Sequence, residues 1–403
     1  MKYVLSLWLA LVMFSSVVLA DQFDIEYDVT VDPDSGLAHV VMTLRGKELP
    51  SQLKLRLSDE RYKNFSSEQP VEIKGNRAIW TPAGPKSSLS YDFVIDEKKS
   101  QGRYDSRVTS DWAILRSDKL IPPIAATLPK GLSSRASLIF DLPKGWSSAA
   151  PYETQDRHHY VITDPGRRFV RPKGWLILGE ISSRQDEFVG TDVRVAAPRG
   201  QNVRLQDSLA FLGWTLPVIK AVFPQFPPQL LIVSAGNPMW RGGLSGSKSL
   251  FMHADRPLIS GNRTSSLIHE MVHVGTGIRG TRYSDWIVEG IAEYYAVEIL
   301  RRTGAISERR FQGAIKDLEE WGKESGSLLT GDSSGATTAR AAVLMHELNQ
   351  EILEATEGEA SLDDVARALA EQRGTVTVEG FVNLSEELAG GKLKTLSIVS
   401  DTH

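Results

Sequence analysis

Residues Leu267 to Gly277, LIHEMVHVGTG, decide how this chain of 403 residues is read. Thr264 or Ser265 can cap a helix that starts just before the stretch, and Gly275 and Gly277 can end it. On such a helix His269 and His273 stand one above the other, because positions i and i+4 share a face. Two neutral imidazoles placed in this way can reach one Zn2+ ion at about 2.0–2.1 Å each. Glu270 projects roughly 100° further round the helix. It therefore sits beside the ion rather than on it, where it can take a proton from an attacking water.

The next helical stretch, SDWIVEGIAEYY, supplies a third ligand. Ser284 or Asp285 can cap its start, and Glu289 lies sixteen positions after His273. A short connection can fold this helix against the first and bring Glu289 to the metal. Two His and one Glu with a fourth position open form a catalytic rather than a structural zinc pattern. Glu293, one turn beyond Glu289, has two readings. It can accept the other N–H of a ligating histidine, or it can be a solvated helix glutamate. The chain has no cysteine, so any metal must be held by His, Asp and Glu.

These two helices make the sequence resemble the gluzincin metallopeptidases, in particular the aminopeptidase-N-like and glycyl-aminopeptidase-like families. Those families pair H-E-x-x-H with a downstream W-x-x-E-G-x-[AT] helix, present here from Trp286 to Ala292. The stretch AAVLMHELNQEILEATEGEASLDDVARALAEQRG is similar to the helical end of the glycyl-aminopeptidase catalytic domain, including the Ser-Leu-Asp-Asp step from Ser361 to Asp364. PKGWSS near Pro143 and YVITDP near Asp164 weakly resemble that family's N-terminal β-domain. The likeness is specific over residues 190–395 and loose over 21–189. It implies an α+β protein in which a β-sandwich-like domain precedes a thermolysin-like, mainly helical zinc-peptidase domain.

Three departures from the family pattern stand out. The step from His273 to Glu289 is three residues shorter than is usual in the aminopeptidase-N group. Those families also carry a tyrosine, in a Tyr-x-Lys-Gly stretch, that stabilises the oxyanion. The matching stretch here is Thr338-Ala339-Arg340-Ala341, so either another group, such as Tyr283, does that work or turnover is slow. An oxyanion donor is worth about 2.7–4 kcal/mol, so its loss slows an enzyme without abolishing it. Finally, Gly242-Gly243-Leu244-Ser245-Gly246 stands where aminopeptidases have Gly-x-Met-Glu-Asn. Gly243, Ser245 and Gly246 suit a strand that a substrate backbone approaches closely, or else a plain glycine-rich turn.

Beyond the motifs, the chain divides by texture. MKYVLSLWLALVMFSSVVLA, residues 1–20, reads as a secretory signal with Lys2 at its start and a small-residue cleavage site at Val18-Leu19-Ala20. From 21 to 189 the pattern is β-rich, through FDIEYDVTV, AHVVMTLRG, SLSYDFVID and SLIFDLP, with PDSG, PAGPKSS and DPGRR as turns. From 190 to 403 strands such as DVRVAAP, QLLIVSAG and SLFMHAD give way to helices. Among the other histidines, His158 and His159 read as exposed, His346 as packed in a helix, and His253 as a group able to line the cleft. Tyr294 and Tyr295 read as packing aromatics.

Hydrophobic content of 41% and charged content of 24% are those of a globular protein. A formal charge of −4 without any basic run argues against nucleic acid as a partner. The expectation is an exported protein, periplasmic or secreted, with no membrane attachment after signal cleavage. It would bind one Zn2+ per chain and act on a peptide or protein substrate. The rival expectation is a zinc-binding pseudo-peptidase that holds peptides or a partner protein without efficient turnover.

Overall fold

The computed structural model describes residues 21–57, 60–99 and 102–400. The signal segment expected at 1–20 lies outside the described residues. Alternating apolar residues build the first half as expected. Strands Gln22–Asp32, Leu37–Arg45, Lys86–Val94 and Ser133–Asp141 point every second side chain into one core. They form the centre of a seven-stranded sheet in which Gln22–Asp32 pairs parallel to Ser133–Asp141 and antiparallel to Leu37–Arg45. A four-stranded sheet carrying Leu53, Leu55 and Trp80 covers its inner face, together with a five-stranded sheet carrying Leu115, Leu176 and Leu178. The arrangement is sandwich-like, with two smaller sheets facing one large one.

Strands Trp112–Arg116 and Trp175–Gly179 in that five-stranded sheet read as unbroken apolar runs because both faces are covered. Their outer side chains, Trp112, Ile114, Trp175 and Ile177, pack on Leu231, Val233 and Phe251 of a sheet in the second half of the chain. The two halves are thus joined through an apolar layer.

The second sheet has five strands in the order Ile181–Phe188, Thr191–Pro198, Gln229–Ala235, Ser249–His253, Gly243–Gly246. Its first strand pairs with Thr191–Pro198 along its whole length, so residues 181–188 belong to this sheet. The change in texture at 189/190 therefore marks the bend of a hairpin inside the second sheet. Three strands run parallel, and the edge strand Gly243–Gly246 runs antiparallel to its neighbour. Val195, Ile232, Leu250 and Met252 on the other face of the sheet pack under the helices in the largest core. Among the described residues, no helix is long and apolar enough to cross a membrane. The whole is a mixed α+β fold with a β-rich N-terminal region.

Candidate metal centre

The histidine helix runs from Ser266 to Thr276. Ser265 caps it, its side chain accepting from the Ile268 N–H at 3.3 Å. Gly277 ends it in the left-handed region at φ 60°, where glycine pays no Cβ penalty. Gly275 lies inside the helix and packs against Phe226 and Phe223. The glutamate helix, Asp285–Arg302, starts after Ser284, but neither expected residue caps it through its side chain. Ser284 Oγ instead donates to the Val376 carbonyl at 2.6 Å, and Asp285 accepts from the Ser333 N–H at 2.8 Å. Gly290 lets this helix press on helix Ala336–Ala355, since a Cβ there would lie 2.8 Å from that of Ala341.

His269, His273 and Glu289 each present one ligand atom within 4.8 Å of the others. His269 Nε2 lies 3.1 Å from His273 Nε2 and 3.3 Å from Glu289 Oε2, while His273 Nε2 lies 3.4 Å from Glu289 Oε1. Ligands about 2.0–2.1 Å from a tetrahedral zinc are separated by about 3.3–3.4 Å, so the spacing fits that ion. Glu293 Oε2 is 2.9 Å from His269 Nδ1, and Thr264 Oγ1 donates to Glu293 Oε1 at 3.0 Å. Glu293 is therefore not a solvated helix glutamate. Its bond fixes the proton of His269 on Nδ1 and turns the Nε2 lone pair toward the cluster. Thr264 was not legible in this part, because in the sequence it reads only as a helix cap.

Electrostatics separate the members of the cluster. Burial depresses the basicity of both imidazoles. For His269 the bonds to Glu289 and Glu293 more than reverse it, and its pKa ends well above the usual value. Nothing equivalent supports His273, which burial and the neighbouring His269 charge push down to about 4. Burial works to raise the carboxyls of Glu289 and Glu293, but the histidines beside them win and hold both below the ordinary range. Burial pushes Glu270 up to about 7; the charge of His269 opposes this, that of Glu289 adds to it, and the N–H and hydroxyl of Ser245 oppose it.

Glu270 is 9% exposed and lies against the edge strand. A Cβ on Gly243 would fall 2.6 Å from its Oε1, so Gly243 is the floor under that carboxylate. The hydrogen bond from His253 N to Gly242 O sets the phase of the strand pair. Residues opposite one another alternate between bonded and unbonded pairs, so Leu244 and Gly246 turn their backbone groups inward. Gly243 and Ser245 turn theirs out over the open edge. Gly246 is pressed on Trp175, 3.1 Å from where its Cβ would be, and the Trp175 indole donates to the Leu244 carbonyl at 2.8 Å.

The remaining candidates fall elsewhere. Tyr283 is 54% exposed in the loop before the glutamate helix, with the Arg282 guanidinium 5.5 Å from its ring centroid. The structure does not join it to the cluster by any contact among the described residues. His253 is buried on the face of the sheet that carries Phe251, and its Nδ1 accepts from the Asp255 N–H. His158 and His159 are half-buried rather than exposed, and the former bonds Ser148 at 2.8 Å. His346 packs between the Tyr294 and Phe311 rings. Tyr294 and Tyr295 are core residues.

No protein-family profile matches the chain, and no curated protein matches it in sequence. Solved structures do. An aminopeptidase N family protein from Idiomarina loihiensis aligns with a TM-score of 0.67 at 14% identity, over 86% of this chain and 70% of its own. An M1 zinc metallopeptidase from Deinococcus radiodurans aligns with a TM-score of 0.58 at 14% identity, over 94% of this chain and 92% of its own. A mutant of that metallopeptidase bound to a Tyr-Ser-Ala substrate aligns with a TM-score of 0.61 at 15% identity, with the same coverage. This chain has the fold of those proteins. The aminopeptidase-N-like resemblance carried by the two helices extends to the architecture of both halves.

Proposed function

We propose that the chain is a zinc-dependent peptidase whose helical part is a thermolysin-like catalytic domain. One observation carries the reading. His269, His273 and Glu289 converge at the spacing of a tetrahedral site, and Glu270 is held next to them under an open strand edge. Zinc, when bound, supplies the Lewis acid that polarises the scissile carbonyl and acidifies water.

The chain's own residues do the rest. Gly243 offers its outward backbone groups, and Ser245 its carbonyl, to an extended peptide that adds as a further strand. Glu270 takes a proton from the attacking water and returns it to the leaving amine. Burial raises the Glu270 carboxyl above the usual carboxylate range, which brings its proton affinity closer to neutral pH. Glu293 holds the His269 ring in place. Tyr283 is the candidate to steady the oxyanion, moving in from its exposed loop, since Thr338 replaces the tyrosine the family pattern has. The basic start, apolar run and small-residue end of residues 1–20 support export, to a periplasm or out of the cell.

The test is to incubate the purified mature protein with a mixed peptide library, with and without chelator, and to read the cut sites. Zinc-dependent cleavage is expected. Full zinc loading without any cut peptide would make the chain a peptide binder, and absence of zinc would remove the metal assignment.

A further inference from the structure

Three segments are pinned together at the foot of the edge strand Gly243–Gly246, beside the glycine that lies against Glu270. The Trp240 N–H donates to the Tyr104 carbonyl at 2.9 Å, and the Tyr104 N–H to the Pro238 carbonyl at 3.1 Å. These bonds bring Arg103 beside the turn that leads into Arg241. The His253 N–H donates to the Gly242 carbonyl at 3.1 Å, and Arg256 Nε to the Arg241 carbonyl at 2.8 Å. Arg103, Arg241 and Arg256, from three separate parts of the chain, therefore gather at one end of the strand along which a peptide would lie.

The side chains gathered there are short of an acceptor. Arg103 donates to the Asn237 amide oxygen and Arg256 to a backbone carbonyl. Among the described residues, the Arg241 guanidinium has no hydrogen bond, and none of the three arginines pairs with a carboxylate. His253 is 1% exposed, and its Nδ1 accepts from the Asp255 N–H at 3.2 Å. Its proton is therefore on Nε2, a buried donor without a partner, and such donors are rare. Burial depresses the basicity of this ring; Asp255 opposes that, and the charges of Arg241, Arg103 and Arg256 add to it. Three guanidiniums and one carboxylate thus bear on one imidazole, in a chain whose net charge is −4. The positive charge is local to this end of the cleft.

We propose that this end of the cleft is a carboxylate subsite, so that the preferred substrates are short peptides with a carboxylate one or two residues beyond the scissile bond. The proposal rests on the peptidase reading, because it takes the bond beside Glu270 as the one cut. Strand residues advance by about 3.3 Å each, so the two steps from Gly243 to Arg241 span about 7 Å. A guanidinium grips a carboxylate through two parallel bonds. A peptide laid the other way would bring its ammonium to three like charges and be repelled. The peptide therefore runs antiparallel to the edge strand, with its C-terminal side at Arg241.

The probes are N-acetyl-tetra-alanine as the free acid, as the C-terminal amide, and as the amide with glutamate in the last position. Titration calorimetry on the zinc-loaded full chain carrying Glu270→Gln measures binding, and kcat/KM is measured on the wild type. The acid should bind at least about tenfold more tightly than the plain amide, and added salt should narrow that ratio. Arg241→Gln with Arg103→Gln should bring the ratio close to one at unchanged zinc content, whereas Arg241→Lys alone should keep part of it. A glutamate amide that binds like the acid assigns the subsite to acidic side chains, and one that binds like the plain amide assigns it to the chain end. Equal binding of acid and amide, a ratio that survives the double substitution, or no binding of the acid would overturn the subsite. Acid-selective binding without any cleavage by the wild type would instead retire the peptidase reading and leave the subsite standing.

Discussion

Gly243→Ala separates the placement of Glu270 from its chemistry. A Cβ at this position would lie 2.6 Å from both Cγ and Oε1 of Glu270 and 2.9 Å from its Cδ. Ordinary contact starts at 3.4 Å, so the carboxylate must retreat by roughly 0.8 Å, near the 1 Å misplacement that costs about 100-fold in rate. That loss is about 2.7 kcal/mol of barrier. The backbone itself tolerates alanine, because Gly243 is extended strand and shows no positive φ. Alanine in place of a strand glycine otherwise favours the folded state by about 0.5–1 kcal/mol. The expected variant is therefore fully folded and fully loaded with zinc, with kcat reduced by roughly 100-fold and KM little changed. Steady-state kinetics, elemental analysis and thermal melting measure the three quantities on one preparation. A kcat within about twofold of wild type at full zinc would refute the claim that Gly243 sets the position of the base. A rise in KM alone would assign the glycine to substrate docking instead.

Alanine at His269, His273 or Glu289 should each strip most of the zinc, and full metal in Glu289→Ala would exclude that residue as a ligand. Glu270→Gln should keep zinc and lose most hydrolysis, because the amide keeps the shape but accepts no proton; joint loss of metal and activity would make Glu270 a ligand or a prop. Ser245 offers no countercharge to a substrate ammonium, so matched peptides with free and acetylated N-termini should both be cut. Cleavage confined to the first bond of the free peptide would restore strict one-residue trimming. Apparent zinc affinity should rise about tenfold per pH unit below about pH 6.5, and a flat profile there would contradict the protonation state assigned to His269.

What the sequence made legible was local and periodic. His269 and His273 follow from a four-residue step on a helix, and Glu289 from a second helix in register with the first. The strands of the seven-stranded sheet follow from their alternation. Contacts between distant segments were not legible. That Gly243 underlies Glu270 depends on how the edge strand meets the histidine helix, and no periodicity encodes that meeting. Thr264 reads as a cap until the fold sets its hydroxyl against Glu293. Strand Ile181–Phe188 has an exposed middle and weak apolar alternation, so its place in the second sheet is set by pairing alone. Helices Glu308–Gly322 and Val378–Ala389 are not singled out by the sequence reading either. The first carries its buried Phe311, Ala314, Ile315 and Leu318 around Gly313, a weak helix former. The second has serine and glycine on an otherwise ordinary amphipathic pattern.

The charge balance of the cluster explains why the arrangement favours a dication. Glu289 and Glu293 are held ionised and mostly buried, and burying two carboxylates near one another is costly without positive charge between them. In the metal-free chain that charge comes from His269, whose basicity the same two carboxylates raise. His273 stays neutral because burial disfavours its charged form, and the cation on His269 adds to that. One imidazole is therefore ready to ligate, and the other is ready once it releases a single proton. Zinc in place of this proton would replace one positive charge by two beside Glu289, with Glu293 behind the His269 ring. Below the raised pKa of His269 protons compete with the metal, and above it they do not, which fixes the sign of the pH dependence. Glu293 serves both states: it holds the proton on His269 Nδ1, and that leaves Nε2 as the only nitrogen of the ring directed at the ion.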